Sequence, residues 1–124
     1  MSKKIMIVDD SMTMRKIIKQ ILTAEGFDRF IEAEDGNDAL NKLRLNDDVD
    51  LILTDWNMPQ MDGMTFLKAV KSTDAFKNIP VAMITTESAK EEIIEALKVG
   101  AKDYIVKPFK PDIVRDKVKK ILGA

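Results

Sequence analysis

The segment Ile5-Met6-Ile7-Val8 is an unbroken apolar run that stops at two adjacent acids, Asp9 and Asp10. Three later segments show the same pattern of an apolar run followed by a polar residue. They are 51–54 before Asp55, 81–84 before Thr85 and 104–106 before Lys107. Such runs are typical of strands in a parallel sheet that is covered on both faces. The carboxyl ends of parallel strands share one edge, where such folds bind ligands. We therefore expect three carboxylates, a hydroxyl and an ammonium to converge there.

Helical periodicity fills the intervals between these strands. In the first interval an apolar stripe with i, i+3, i+4 spacing precedes Gly26, a typical helix stop, and it consists of Met14, Ile17, Ile18, Ile21 and Leu22. A weaker strand is predicted near Arg29–Ala33, and further helices are predicted at about 37–45, 65–71, 90–99 and from Pro111 onward. In the helix at 90–99 we expect Ile93, Ile94 and Leu97 to face the core. Strict alternation predicts an α/β fold of (βα)5 order, with a doubly wound, five-stranded parallel sheet.

The overall composition limits what the chain is expected to bind. Its 124 residues suit one domain, 1–124, with one core. The net charge of -1 creates no overall field that attracts nucleic acid. The absence of cysteine excludes disulfides and thiolate metal sites, and no segment has the features of a signal peptide or membrane span. We expect a cytoplasmic monomer that binds neither nucleic acid nor membrane.

The acids at the strand ends have a functional and a structural interpretation. Asp9, Asp10 and Asp55 offer the oxygen ligands that a hard cation such as Mg²⁺ prefers. Asp and Ser are also good helix N-caps, so Asp9, Asp10 and Ser11 could simply begin a helix, although one cap needs only one acid. Asp55 could terminate a strand, or it could accept a phosphoryl group as an acyl phosphate.

The remaining strand-end residues suit an anion next to such a cation. The hydroxyl of Thr85 can donate to a phosphoryl oxygen, while Thr86 or Ser88 can cap the following helix. Lys107 precedes Pro108, and an X-Pro bond can be cis, which would aim the ammonium sharply. That cation could pair with the acids or with a transferred phosphoryl group.

This constellation resembles the receiver domain of two-component response regulators, and the resemblance covers the whole chain. The loop Asp55-Trp56-Asn57-Met58-Pro59 is especially similar to that of the chemotaxis regulators in this family. The resemblance implies a flavodoxin-like strand order of 2-1-3-4-5. It also implies that Asp55 is the phosphoacceptor and that Mg²⁺ is bound by Asp9, Asp10, Asp55 and the backbone carbonyl of Asn57.

The same resemblance implies roles for residues around the acids. Thr85 and Lys107 would bind the phosphoryl oxygens, and Tyr104 would be an aromatic switch that responds when Thr85 moves. The partner surface would combine Thr85 and Tyr104 with Lys90, Ala101 and Val106. Asn57 and Glu87 occupy positions that tune hydrolysis, and Thr86 stands where a smaller residue is usual, so it could narrow access for the phosphodonor.

The resemblance further implies the partners of the chain. A sensor histidine kinase would donate the phosphoryl group, the flagellar motor switch would be the target, and a phosphatase would be a further partner. The chain would be a signalling protein that promotes its own phosphorylation and dephosphorylation rather than an enzyme. An alternative is a single-domain phosphorelay intermediate that passes the phosphoryl group to a histidine of another protein.

Two other classes of α/β protein fit the residues less well. Phosphatases of the haloacid-dehalogenase type also combine a nucleophilic Asp with Mg²⁺, but they need a second Asp two positions later. Asn57 stands there in this chain and has no acidic proton to exchange. A dinucleotide-binding domain would need a glycine-rich turn after the first strand, where this chain has Asp9-Asp10-Ser11.

Overall fold

The structure is a computed structural model that describes residues 3–46, 48–86 and 90–123. Five strands alternate with five helices: β1 (Lys4–Val8), α1 (Met12–Thr23), β2 (Arg29–Ala33), α2 (Gly36–Leu45), β3 (Leu51–Asp55), α3 (Gly63–Ser72), β4 (Val81–Thr85), α4 (Lys90–Val99), β5 (Asp103–Val106) and α5 (Pro111–Leu122). The strands form one parallel sheet in the order β2-β1-β3-β4-β5. The predicted α/β fold and strand order are confirmed.

Both faces of the sheet are covered by helices. Helices α1 and α5 pack on one face through residues such as Ile18 and Val114, whereas α2, α3 and α4 cover the other through residues such as Leu43 and Phe66. Alternate residues of each central strand enter opposite clusters, which explains why their apolar runs are continuous. Within the described ranges, no helix combines the length and apolar character needed to cross a membrane.

Helix α4 packs less deeply than its sequence predicts. Of its residues, only Ala96 is buried, while Ile94 is 50% exposed and Leu97 is 42% exposed. The expectation that Ile94 and Leu97 face the core was therefore wrong, and Ile93 is only partly buried. Helical spacing places Ile93 and Ala96 on one stripe, so the larger apolar side chains one position later fall on the outer side.

The start of α3 lies directly against the end of β3. The Gly63 N–H donates a hydrogen bond of 2.8 Å to the carbonyl oxygen of Trp56. A Cβ atom added at Gly63 would overlap the carbonyl oxygen of Asp55 and lie 2.9 Å from the Trp56 Cα. Only glycine leaves room for this close approach of two backbone segments.

Candidate functional site

Three acids meet at the carboxyl edge of the sheet. Because β1 and β3 are neighbours, with Val8 paired to Thr54, the residues that follow these two positions also lie side by side. One carboxylate oxygen each from Asp9, Asp10 and Asp55 lies within 4.8 Å of the others. Asp9 and Asp55 are 2% and 6% exposed, whereas Asp10 is exposed. Three converging oxygens with one open side fit a hard cation such as Mg²⁺, which retains several waters in protein sites.

Lys107 contacts two of these acids. Its Nζ lies 3.2 Å from Asp55 Oδ1 and 3.5 Å from Asp9 Oδ2. The backbone fixes the end of β5 here: the Lys107 N–H donates to the Thr85 carbonyl at 2.7 Å, and the Lys107–Pro108 bond is cis. Because β1 pairs with β3, Asp9 lies opposite Lys107 as well as Asp55.

Backbone amides hold the two buried carboxylates. Asp9 Oδ1 accepts from the Ser11 N–H at 2.9 Å, and Asp55 Oδ1 accepts from the Trp56 N–H at 2.9 Å. The cap of α1 is Ser11, whose Oγ accepts from the Met14 N–H. Capping therefore does not account for Asp10.

The electrostatic environment of Asp9 is unfavourable to its charge. Burial, reinforced by the charge of Asp55, raises the pKa of Asp9 above its ordinary value. The Ser11 amide and the Lys107 ammonium act in the opposite direction without cancelling the effect. A bound cation would relieve this unfavourable balance, because it would favour the charged form of the carboxylate.

The expected switch residues, Thr85 and Tyr104, lie on the neighbouring strands β4 and β5. Thr85 ends β4 and is buried, with Val106 in register on β5. Tyr104 is half-buried, its ring packs against the core cluster beneath α3 and α4, and Lys117 Nζ lies 4.6 Å from the ring centre. The ring is thus held between the core cluster and the Lys117 ammonium and remains partly exposed.

The other residues expected on the partner surface differ in exposure. Lys90 begins α4 and is exposed, and Val106 is partly buried. Ala101 is only 7% exposed, because it packs into the core cluster that contains Ala96. The role of Ala101 on the partner surface stays a prediction, in which its small side chain leaves room for a partner rather than adding exposed area. Asn57 and Thr86 are exposed, whereas Glu87 and Ser88 lie outside the described residues.

An ionic network next to Asp9 was not predicted. Arg15 donates from Nη1 to the backbone carbonyl of Asp9 and from Nε to Glu32 Oε1 at 3.0 Å. Lys19 Nζ lies 3.2 Å from the second carboxylate oxygen of Glu32. Burial would raise the pKa of Glu32, but the hydrogen bonds from Lys19 and Arg15 outweigh it and lower that pKa. The available signal was charge: α1 contains three basic residues and no acid, and Glu32 is the only acid in β2.

Comparison with known families assigns the chain to a class. Residues 5–119 match the family model described as the response regulator receiver domain. The chain therefore belongs to the response regulator receiver domain family.

The similar proteins include named chemotaxis proteins. The chain is 49% identical to chemotaxis protein CheY1 of Helicobacter pylori over 120 residues, which cover 97% of each chain. It is 45% identical to chemotaxis protein CheY of Pseudomonas aeruginosa, with 95% of this chain and 94% of the relative covered. Among solved structures, the chemotaxis response regulator CheY4 of Vibrio cholerae aligns with a TM-score of 0.90 at 35% identity, covering 98% of this chain and 100% of that one.

Proposed function

We propose that this protein is a two-component response regulator that accepts a phosphoryl group on Asp55 in a Mg²⁺-dependent reaction. The observation that carries this proposal is the position of Asp55, which touches the Lys107 ammonium and shares a cluster with Asp9 and Asp10. A structural ion pair would need one acid for one lysine. The three-acid cluster instead has the composition that phosphoryl transfer requires, with carboxylates for a cation and an ammonium for an anion.

In the proposed phosphoryl transfer, residues that the fold brings together have separate roles. A carboxylate oxygen of Asp55 attacks the phosphorus of a phosphohistidine on a sensor kinase; the P–N bond breaks as the P–O bond of the acyl phosphate forms. Asp9, Asp10, Asp55 and the Asn57 carbonyl would hold Mg²⁺, which when bound would supply positive charge against the phosphoryl oxygens. Lys107 and the Thr85 hydroxyl bind the remaining oxygens, where charge builds up.

The proposed output is binding of another protein through the side of the fold that carries α4 and β5. Ile94 and Leu97 expose apolar surface there, and Tyr104 lies half-buried on the adjacent strand. Such surface suits an amphipathic helix laid in a groove. The names of the similar chemotaxis proteins support an output in chemotaxis, and we propose the flagellar motor switch as the target. Phosphorylation would shift an existing equilibrium between two arrangements of Thr85 and Tyr104.

The test of this proposal is phosphorylation by acetyl phosphate, measured as intact mass with Mg²⁺ and with EDTA. We expect one phosphoryl adduct on the wild type with Mg²⁺ and none with EDTA. Asp55→Asn preserves size and the acceptor for the Trp56 N–H, yet it should abolish the adduct. Equal labelling of Asp55→Asn and wild type would refute the assignment.

A pull-down with and without beryllofluoride then identifies the output. Capture of a histidine-bearing relay protein instead of the motor switch would favour the phosphorelay alternative.

A further inference from the structure

Arg15 is a largely buried cation next to the acid cluster, but its hydrogen bond there goes to the backbone. Its guanidinium is largely buried, with 14% of the side chain exposed, and lies within hydrogen-bond reach of Asp9. It nevertheless donates to the backbone carbonyl of Asp9, while the Asp9 carboxylate accepts from Ser11 and Lys107. Arg15 therefore holds the backbone of Asp9 and is not a hydrogen-bond partner of its carboxylate.

Both sides of Asp9 are fixed by this arrangement. The Asp9 N–H donates to the Ala33 carbonyl at 3.0 Å, which ties the residue to the end of β2. The Asp9 carbonyl belongs to the peptide that links Asp9 to Asp10, and Arg15 holds it from α1. Because a peptide unit is planar, fixing its carbonyl also fixes the direction in which the chain enters Asp10.

Glu32 holds Arg15 in place from the neighbouring strand. It receives Arg15 Nε on one oxygen and Lys19 Nζ on the other. The planar guanidinium can serve Glu32 and the Asp9 carbonyl together because its donors point in fixed directions. The network thus joins α1 and β2 to the peptide between two of the proposed metal ligands.

We propose that Arg15, held by Glu32, is a positioning residue that sets the Asp9–Asp10 peptide so that both carboxylates face the bound cation. This inference rests on the Mg²⁺ site of the proposed function. Removing a residue that supports metal ligands commonly weakens metal binding. Removing a nearby positive charge has the opposite Coulombic effect, since it makes the site more attractive to a cation. The two roles of Arg15 therefore predict changes in Mg²⁺ affinity of opposite sign.

The experiment is a Mg²⁺ titration followed by the emission of Trp56, which adjoins Asp55, with calorimetry on the same samples. We expect Arg15→Met to raise the apparent Kd for Mg²⁺ about tenfold. Glu32→Gln should raise it by less, because the amide keeps an oxygen acceptor for Arg15 but loses the charge. Lys16→Met is the matched control: it removes one charge from an exposed position of the same helix, and it should leave the Kd unchanged or slightly lower.

Each outcome is informative. Unchanged or tighter Mg²⁺ binding by Arg15→Met and Glu32→Gln would overturn the positioning role, even if their urea midpoints fall, because a purely structural residue affects stability alone. If Arg15→Met does not fold, as judged by circular dichroism, Glu32→Gln decides the question by itself. Absence of Mg²⁺ binding to the wild type in both measurements would instead count against the proposed function.

Discussion

The acidic edge of the sheet and the outer side of α4 are opposite exceptions to the rule that charged groups are exposed and large apolar groups are buried. At the acidic edge, charged groups are buried: Asp9 and Asp55 are 2% and 6% exposed and share Lys107. On α4, large apolar groups are exposed, with Ile94 at 50% and Leu97 at 42%. Buried charge disfavours the folded state unless it is paired, and exposed apolar surface gains little from folding.

The difference between these regions matches the two tasks of the proposed function, phosphoryl transfer at the acidic edge and partner binding at α4. At the acidic edge, strand ends, backbone amides and the Arg15–Glu32 pair hold the residues, which suits the phosphoryl transfer proposed there. Helix α4 is anchored by the small residue Ala96 and keeps its larger side chains for the surface. A weakly anchored helix can shift at low cost, which suits a region that responds to a change at the site.

The largest expected effect tests the weak anchoring of α4. Leu67 on the neighbouring α3 is fully buried, whereas Leu97 on α4 is 42% exposed. We expect Leu67→Ala to lower the free energy of unfolding by about 3 kcal/mol and Leu97→Ala by less than about 1 kcal/mol. Urea denaturation of both variants measures this. Equal losses would mean that α4 belongs to the core and would remove the contrast between the two regions.

The next effect concerns the pairing of the buried acids. Lys107→Met leaves Asp9 and Asp55 without their shared cation, so we expect a loss of about 2 kcal/mol at pH 7 in EDTA. Saturating Mg²⁺ should restore most of that loss, because the metal would supply the missing charge. Lys110→Met, at the exposed N-cap of α5, is the matched control and should change little. A stable Lys107→Met variant in EDTA would show that the lysine does not offset the acids.

The third effect tests whether the two regions communicate. Tyr104 packs on the core cluster and is only half-buried, so its ring could occupy either a buried or an exposed position. We expect beryllofluoride to raise the affinity of the wild type for a motor-switch peptide about tenfold, and Tyr104→Ala to lose this gain.

Tyr104→Phe is the matched control for that binding titration. It retains the ring, so it should keep most of the gain if packing of the ring drives the change. Should Tyr104→Ala retain the full gain, the communication would run through other residues.

The smallest expected effect tests whether burial or pairing with Lys107 decides how the charge of Asp9 affects stability. The pKa of Asp9 is raised in the folded state, so between the unfolded value of 3.8 and the folded value the native state binds more protons. Stability due to this group is therefore present at low pH and is lost as pH rises through the folded pKa. Asp9→Asn keeps an oxygen acceptor for the Ser11 N–H and lacks the charge.

We expect Asp9→Asn in EDTA to be more stable than wild type by about 1 kcal/mol at pH 7, with the difference disappearing as pH falls. Asp10→Asn, at an exposed position, should stay within about 0.5 kcal/mol of wild type. Urea midpoints at several pH values provide the measurement. A less stable Asp9→Asn at pH 7 would mean that pairing with Lys107 outweighs burial.

The sequence predicted the features that follow directly from periodicity. Each predicted strand matches the structure within one residue at either end, and for the four apolar runs this follows because flanking polar residues or proline mark the ends. The meeting of Asp9, Asp10 and Asp55 followed from the rule that parallel strands end at one edge. The resemblance to receiver domains supplied the strand order, which periodicity alone leaves open.

Periodicity could not predict which side of a helix faces the sheet, or contacts between residues that are distant in the sequence. The outward position of Leu97 depends on which stripe of α4 meets the sheet, and the small residue Ala96 decides that. The second contact of Lys107, with Asp9, depends on the adjacency of β1 and β3. The link from Arg15 to Glu32 joins a helix to a strand, and neither residue belongs to a local motif.

The close approach at Gly63 limits which sequences this fold can tolerate. A side chain there would collide with the backbone of Asp55 and Trp56, so the restriction comes from the end of β3 and the residue after it, and not from any group that Gly63 contributes. In a mutational scan, position 63 should be as intolerant as the acids themselves. Descendants of this protein could replace every surface side chain of α3 and still inherit that glycine.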